Sequence, residues 1–465
     1  MVAKIQNWLQ KYGVSYTVKK VIGKGVTRFL SGPLKVNRRL TAKERKRQEN
    51  EKFTPQYTIS VVVPLFNTPE VYLKQMIDSV QDQTYADWQL CLADGSDAEH
   101  GEVENICRKY AQEDSRICYK KLEDNRGISE NTNACLEMVE GEYIALFDHD
   151  DLLHPSALYE VMRCIAASGA DVVYTDEATF QGKETRLLSI HRKPDFYMEN
   201  LCVDNYICHL TVFKKTLLEI TGGFRKEYDG SQDHDMIFRL CEVAEKVCHI
   251  PKVLYFWRAH DNSVALHAEA KSYVVEAGLK AVRAHLERMR LKAEVEVMPV
   301  DMLMYQVMYE HSWNIEKDIA VIYEEKGWEK KVHEVSTPFV LLLQPGMEMP
   351  EKKDLQLLLM HMVKNNVAAA APMIVNEKGR IYAAGTKWSR THQAYVPKYK
   401  GHRVSEPGEM NELLAAAGTP AIVTGCMLVR TQQADENSLK KIRKGQSEGL
   451  LINEPRARVR FSSCK

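Results

Sequence analysis

From residue 57 onward, hydrophobic positions follow two alternating rhythms. Ile59-Ser60-Val61-Val62-Val63-Pro64 is a short β-branched run, the pattern of a strand buried on both faces. Leu73, Met76, Ile77 and Val80 then recur at helical spacing. Further strands are predicted over 88–93, 117–121 and 143–147, with helical stretches over 103–110 and 131–139 between them. Strands alternating with helices of this length predict an α/β fold with a doubly wound parallel sheet. In such sheets ligands bind beyond the carboxyl ends of the strands. Pro64, Phe66 and Asn67, then Asp94, then Asp148 to Asp151 all fall at those ends, so one shared site is expected there.

The fourth strand runs straight into Phe147-Asp148-His149-Asp150-Asp151. Crowded carboxylates at a strand end repel one another, and a divalent cation relieves the repulsion. Mg²⁺ or Mn²⁺ typically takes one or two carboxylates and completes its shell with water and phosphate oxygens. Alone, such a motif also reads as an acidic turn.

A weaker echo follows in the second half. Val340-Leu341-Leu342-Leu343-Gln344-Pro345-Gly346 repeats the shape of the fourth strand and its turn, and a helix (355–363) and an alanine-rich strand (367–372) come after it. Aligned on the strand, Gln344 stands opposite Asp148 and Gly346 opposite Asp150, so this copy lacks the carboxylates. Val295 to Pro299 is at best a remnant of its first strand.

Composition adds compartment and charge. The 465 residues favour more than one domain. Formal net charge is zero, yet residues 1–50 hold 13 Lys/Arg against 2 Asp/Glu. With Ile5, Trp8, Leu9 and Tyr12 at helical spacing, this arm reads either as an amphipathic segment on an anionic membrane surface or as a solvated extension. Its aromatic residues are not interleaved with the basic ones, which disfavours nucleic acid. No apolar run has the length of a membrane span. The start lacks a secretory pattern, and the 11 cysteines show no C-x-x-C spacing. A cytoplasmic protein is expected, peripheral to the inner membrane face if the arm binds lipid.

Six segments, in order, resemble a known family: I59-S-V-V-V-P-L-F-N67, L92-A-D-G-S96, D124-N-R-G-I-S-E-N-T-N133, F147-D-H-D-D151, G230-S-Q-D-H-D235 and W257-R-A-H260. Together they resemble the inverting family 2 glycosyltransferases of GT-A fold, and among them the rhamnosyltransferase-like enzymes of O-antigen and surface-polysaccharide synthesis. The resemblance implies a metal-dependent enzyme that moves a sugar from a UDP- or dTDP-sugar to a lipid-linked or growing polysaccharide. It implies donor contacts at Pro64, Phe66, Asn67, Asp94, Asn125, Gly127, Asn133, Asp148 and Arg258. It places Mg²⁺ or Mn²⁺ on Asp150 and Asp148, with His260 as a further ligand or a diphosphate contact. Asp233 takes the position of the catalytic base and Asp235 that of its support. One departure stands out: the family commonly has two acids before Gly-Ser, and here the first is Ala93.

The expected organisation is a basic arm (1–56), a catalytic GT-A domain (57–265), a helical connector (266–295) and a degenerate or truncated second GT-A-like module (296–465). That module could pack on the first, shape the acceptor cleft or mediate a homodimer. A competing class is a weakly catalytic glycan-binding or scaffolding partner. A dehydrogenase is disfavoured because no G-x-G-x-x-G follows the first strand, and a nucleotidyltransferase because no basic triphosphate loop is present.

Overall fold

A computed structural model describes residues 36, 38–259, 271–298, 303–406, 408, 412–423 and 425–461. Most of the basic arm, and His260, lie outside the described residues.

The first sheet has nine strands. They are β1 (Ile59–Leu65), β2 (Trp88–Asp94), β3 (Ile117–Lys121), β4 (Tyr143–Leu146), β5 (Leu152–Leu153), β6 (Val172–Gln181), β7 (Lys183–His191), β8 (Thr211–Lys214) and β9 (Val247–Arg258). Their order is β3-β2-β1-β4-β8-β6-β9-β5, with β7 beside β6. The β3-β2-β1-β4 half is parallel. The sheet as a whole is mixed, which corrects the expected all-parallel arrangement. The four-residue strand β8 slots between β4 and β6 and runs antiparallel to both. Such a strand is too short for its periodicity to stand out.

Burial explains the parallel half. All seven residues of β1 and of β2 are buried. Leu73, Met76, Ile77 and Val80 of helix Glu70–Gln81 pack into the same core. Pro64 lies past the β4 pairing, which ends at Val62, so its missing N–H leaves no gap in that ladder.

A second, seven-stranded sheet uses β12 (Ile319–Tyr323), β13 (Phe339–Leu343), β14 (Val367–Asn376), β15 (Ile381–Ala383), β18 (Ala417–Gly418), β19 (Cys426–Arg430) and β20 (Leu450–Phe461). Off it stand two hairpins, β10–β11 (Ala293–Val297 with Tyr305–Tyr309) and β16–β17 (Thr386–Ser389 with Ala394–Pro397). The run β12-β13-β19-β14-β20 repeats β1-β4-β8-β6-β9 strand for strand, with the same parallel and antiparallel sense at every step. The ladders β6–β9 and β14–β20 both shift register at a proline, Pro251 in one and Pro455 in the other. Val295 therefore belongs to a separate hairpin. The strand at the β1 position is Ile319–Tyr323, whose exposed Val321 and Tyr323 break the apolar run that marks β1.

Helix Lys271–Arg288 packs along helix Gln232–Val243, where Glu242 accepts from His285 (2.7 Å) and pairs with Arg288 (2.7 Å). Before β1, helix Ala42–Asn50 docks on the first module. Its Arg47 donates to Tyr159 (2.9 Å) and its Arg45 pairs with Asp82 (2.8 Å).

Candidate functional site

The carboxyl ends of β1, β2 and β4 open onto one edge of the first sheet. Asp94 ends β2. It is fully buried, and its carboxylate accepts from Ser96 N–H (2.8 Å), the Tyr119 hydroxyl (2.8 Å) and the Lys121 ammonium (3.1 Å). A buried charge needs this many donors to be tolerated. Asn67 holds a left-handed backbone (φ 49°) and exchanges hydrogen bonds with Asp97, and its N–H reaches Ser96 Oγ at 2.8 Å. Phe66 beside it is 44% exposed.

The Asn125–Gly127 loop leans on this corner. A Cβ at Gly95 would sit 2.9 Å from Asn131 Nδ2 and 3.3 Å from Asn125 Cα, so glycine is what lets the two loops meet. Gly127 (φ 100°) turns the chain into helix Ile128–Leu136, and Asp229 accepts from the Ser129 N–H at 3.3 Å. Asn133 faces away from this role. Both ends of its amide bond the Phe224 main chain (2.8 and 2.9 Å).

Asp229 leads into Gly230-Ser231-Gln232-Asp233, where helix Gln232–Val243 starts. Asp233 accepts from Asn205 Nδ2 (2.9 Å) and from the His234 N–H (2.9 Å). Asp235 is fully buried between Arg225 and Arg239 (2.8 Å). The two acids thus have separate duties, one on the cleft and one holding the turn.

Asp148 follows β4. Its carboxylate lies 3.2 Å from His209 Nε2 and is about half exposed (46%). Desolvation by the surrounding turn works to raise its pKa even at this exposure, but the hydrogen bond and charge of His209 prevail and leave it below the usual value. Asp150 is partly exposed in the same turn. Asp151 is fully buried and accepts from the Tyr255 hydroxyl (2.6 Å) and the Arg258 N–H (2.6 Å). Burial, with Asp150 and Asp148 alongside, pushes its carboxyl well above the usual range. Arg258 is 3% exposed. Its guanidinium donates to the Asp150 carbonyl and to Gln75 (2.9 Å) and stacks on Tyr72 and Phe180. It pins the acidic turn from behind.

His209 and Asp233 line a common cleft of about 470 Å³ with Glu177, Asn205, Trp257 and Tyr305, a size suited to a small-molecule site. Glu177, buried on β6, accepts from the His209 N–H (2.7 Å) and His191 Nδ1 (2.8 Å) and sits 3.4 Å from the Lys193 ammonium. Burial opposes its charge, yet Lys193, His191 and His209 hold its pKa well below normal. Sequence reasoning missed Glu177, Lys193, His209 and Asn205. The signal was present: Asp176-Glu177 interrupts an apolar strand, and a buried carboxylate needs partners.

Pairwise contacts link these parts: Gly95 beside Asp94 meets Asn125, Gly127 meets Asp229, Asp233 and His209 line one cleft, and His209 meets Asp148. Among the described residues no three His, Cys, Asp or Glu side chains form a metal cage. Asp148 and Asp150 nonetheless fit Mg²⁺ or Mn²⁺, which needs only one or two carboxylates when water and phosphate complete the shell. Asn205 Oδ1 is buried without a hydrogen-bond partner among the described residues, as expected of a polar atom kept for a ligand, whereas His209 Nδ1 faces Glu177 at 3.6 Å.

The sequence model of glycosyl transferase family 2 matches residues 60–219. An uncharacterised glycosyltransferase of Methanocaldococcus jannaschii is 35% identical over 221 residues, 46% of this chain and 76% of that protein. The O-antigen biosynthesis protein RfbC of Myxococcus xanthus is 31% identical over 239 residues, 51% of this chain and 18% of that protein. The chain spans a quarter or less of the length of several curated relatives it matches, 25% of one and 18% of another. A mannosyltransferase of Pyrobaculum calidifontis, solved with GDP-Man and Mn²⁺, superposes with a TM-score of 0.40 at 18% identity, over 53% of this chain and 73% of that one. No helix among the described residues is long and apolar enough to cross a membrane.

Proposed function

Since the chain belongs to glycosyl transferase family 2, we propose that it is a metal-dependent inverting enzyme acting on a UDP- or dTDP-sugar and a lipid-linked or growing surface polysaccharide. The observation that carries this reading is His209, which lines one cleft with Asp233 and has the Asp148 carboxylate 3.2 Å from its Nε2. In the proposed reaction Asp233 removes the proton of the acceptor hydroxyl as that oxygen attacks the anomeric carbon. The bond from that carbon to the diphosphate breaks, and inversion follows from attack opposite the leaving group. Asn205 orients Asp233, and its unpartnered Oδ1 is available to an acceptor hydroxyl. A divalent cation on Asp148 and Asp150 supplies charge neutralisation of the departing nucleoside diphosphate. His209, carried by the Glu177–Lys193 pair, sets the Asp148 carboxylate in place. Asp94 organises the base end through Lys121 and Ser96, beside Pro64, Phe66 and Asn67.

In the same proposal the second module has no donor site of its own. Gln344 donates to Glu324 at 3.2 Å, and Glu324 pairs with Arg443, so the edge matching the acidic turn is filled by protein groups. The enzyme would work at the cytoplasmic membrane face, with the arm before residue 36 as its lipid contact.

Release of nucleoside diphosphate from a nucleotide-sugar panel, with Mn²⁺ and with chelator, tests the reading. Metal-dependent release that disappears in Asp150→Ala is the expected result. Undiminished release in chelator, or in that variant, would refute it.

A further inference from the structure

A second cavity, of about 330 Å³, lies where the two sheets meet. Asp195, Tyr197 and His249 wall it on one side, and Thr386, Trp388 and Tyr395 on the other. We propose that this groove is a glycan-binding site that grips the acceptor polysaccharide at a distance from the transferred sugar. The word acceptor rests on the catalytic reading above, whereas the affinity for a glycan rests on the groove's own chemistry.

Trp388 and Tyr395 face each other directly across the β16–β17 hairpin, with ring centroids 5.2 Å apart at 74°. Trp388 is 51% exposed. This two-stranded hairpin belongs to neither main sheet, and an isolated hairpin is marginal in water. Here it is braced. The Gly385 N–H donates to Asn453 (2.9 Å), Lys398 pairs with Glu412 (2.9 Å), and Gly445 leaves room for the Tyr395 ring. Support of this kind around a half-exposed indole holds a flat apolar surface open. A sugar ring offers a C–H face to such a surface and hydroxyls at its edge to polar side chains.

Those side chains are present. The Asp195 carboxylate is 87% exposed and 3.7 Å from His249 Nδ1, while His249 Nε2 is bonded to Asp176 (2.8 Å). Three lysines and two carboxylates line the groove, but Lys193 is paired with Glu177 and Lys398 with Glu412, so Asp195 and Lys387 are left to balance each other. That balance suits an uncharged, hydroxyl-rich chain and not a polyanion. The groove also borders the catalytic cleft. A smaller hollow shares Pro194, Glu412 and Ala417 with the groove and Asp204 and Tyr206 with the cleft around Asp233. Lys193 borders both groove and cleft, so a chain seated over Trp388 lies next to the cleft that holds Asp233.

The test uses the full chain on an array of neutral oligosaccharides from mono- to octasaccharides. The wild type should retain the longer ones. Trp388→Ala should weaken that retention about ten-fold, with Asp195→Asn as a second, independent variant in the same direction. Thermal unfolding and metal-dependent nucleoside diphosphate release should be unchanged in both variants, because neither side chain is in the catalytic rim. Equal retention by wild type and both variants, or no retention of any oligosaccharide by the wild type, would overturn the proposal. Lost release with retained glycan binding would refute the catalytic reading and leave the groove standing.

Discussion

Two aspartates two positions apart at the start of helix Gln232–Val243 illustrate how little spacing reveals about duty. Asp233 opens on the cleft with Asn205, and Asp235 is sealed between two arginines. Asp233→Asn should keep donor affinity within a factor of about two while transfer falls at least about a hundred-fold. Titration calorimetry and turnover, measured on one preparation, check both halves. Asp235→Asn should cost about 3 kcal/mol in urea unfolding, since it strips a buried pair of its charge. An unaltered midpoint there would remove the structural role. The motif containing both acids was legible in the sequence, as were the acidic turn and Asp94, because short polar segments at strand ends stand out against apolar runs. Orientation was not legible. Arg258 reads as a phosphate ligand, yet it packs behind the turn with its guanidinium on Tyr72 and Phe180. Asn133 reads as a donor contact, yet it ties down Phe224. Both bonds depend on partners some 90 or more residues away along the chain, and no local pattern encodes them.

At the scale of elements, legibility follows burial. Strands covered on both faces (β1, β2, β4, β13) are continuous apolar runs and are readable. The short β8, and β9 and β20 with their proline register shifts, carry mixed patterns that hide them. The repeated strand order emerges only from pairing, which periodicity does not contain. The shift in β20 has an energetic consequence. It places Glu454 in a fully buried position between Arg456 (2.5 Å) and His361 (2.9 Å). Burial raises the carboxyl's pKa, but these hydrogen bonds prevail and bring it to about 2 from an ordinary 4.5. A folded value below the unfolded one stabilises the protein above about pH 4.5, and the contribution is lost as pH falls toward 2. A gap of that size corresponds to about 3 kcal/mol. Glu454→Gln should therefore be less stable than wild type near neutrality, and the difference should shrink steadily below pH 4.5. Chemical denaturation at several pH values tests the sign. A difference independent of pH would mean that the carboxylate is not charged in the fold.

At the scale of the whole molecule, the core of the first sheet extends into the β10–β11 hairpin and the helix Lys352–Met360, which makes independent unfolding of the halves unfavourable. One hydrophobic cluster joins Leu201, Cys202 and Tyr206 of the first half to Tyr305, Val307, Tyr309 and Met360 beyond the connecting helix. A buried ion pair crosses the same seam, Glu199 with Lys364 at 2.5 Å, and Lys364 also reaches the Tyr309 hydroxyl (3.4 Å). A close backbone approach lies at Gly418 of β18. Its N–H donates to Asn200 (2.8 Å), and the Tyr197 ring occupies the space a Cβ would need. Domains that meet through a small polar patch separate readily, whereas a large apolar seam ties them into one unit. Wild type should accordingly unfold in a single transition by circular dichroism and by tryptophan fluorescence. Gly418→Val would drive its side chain into Tyr197, and overpacking of this kind costs about 1–3 kcal/mol. That penalty falls where β18 meets the first module, so the two probes should separate, with the second module, which carries Trp313, Trp328 and Trp388 against Trp88 and Trp257 in the first, melting first. Coincident probes in the variant, shifted together, would show that Gly418 matters to β18 alone. Two transitions already present in the wild type would mean that the shared cluster does not couple the halves, and a chain gripped over Trp388 would then have no fixed position relative to Asp233.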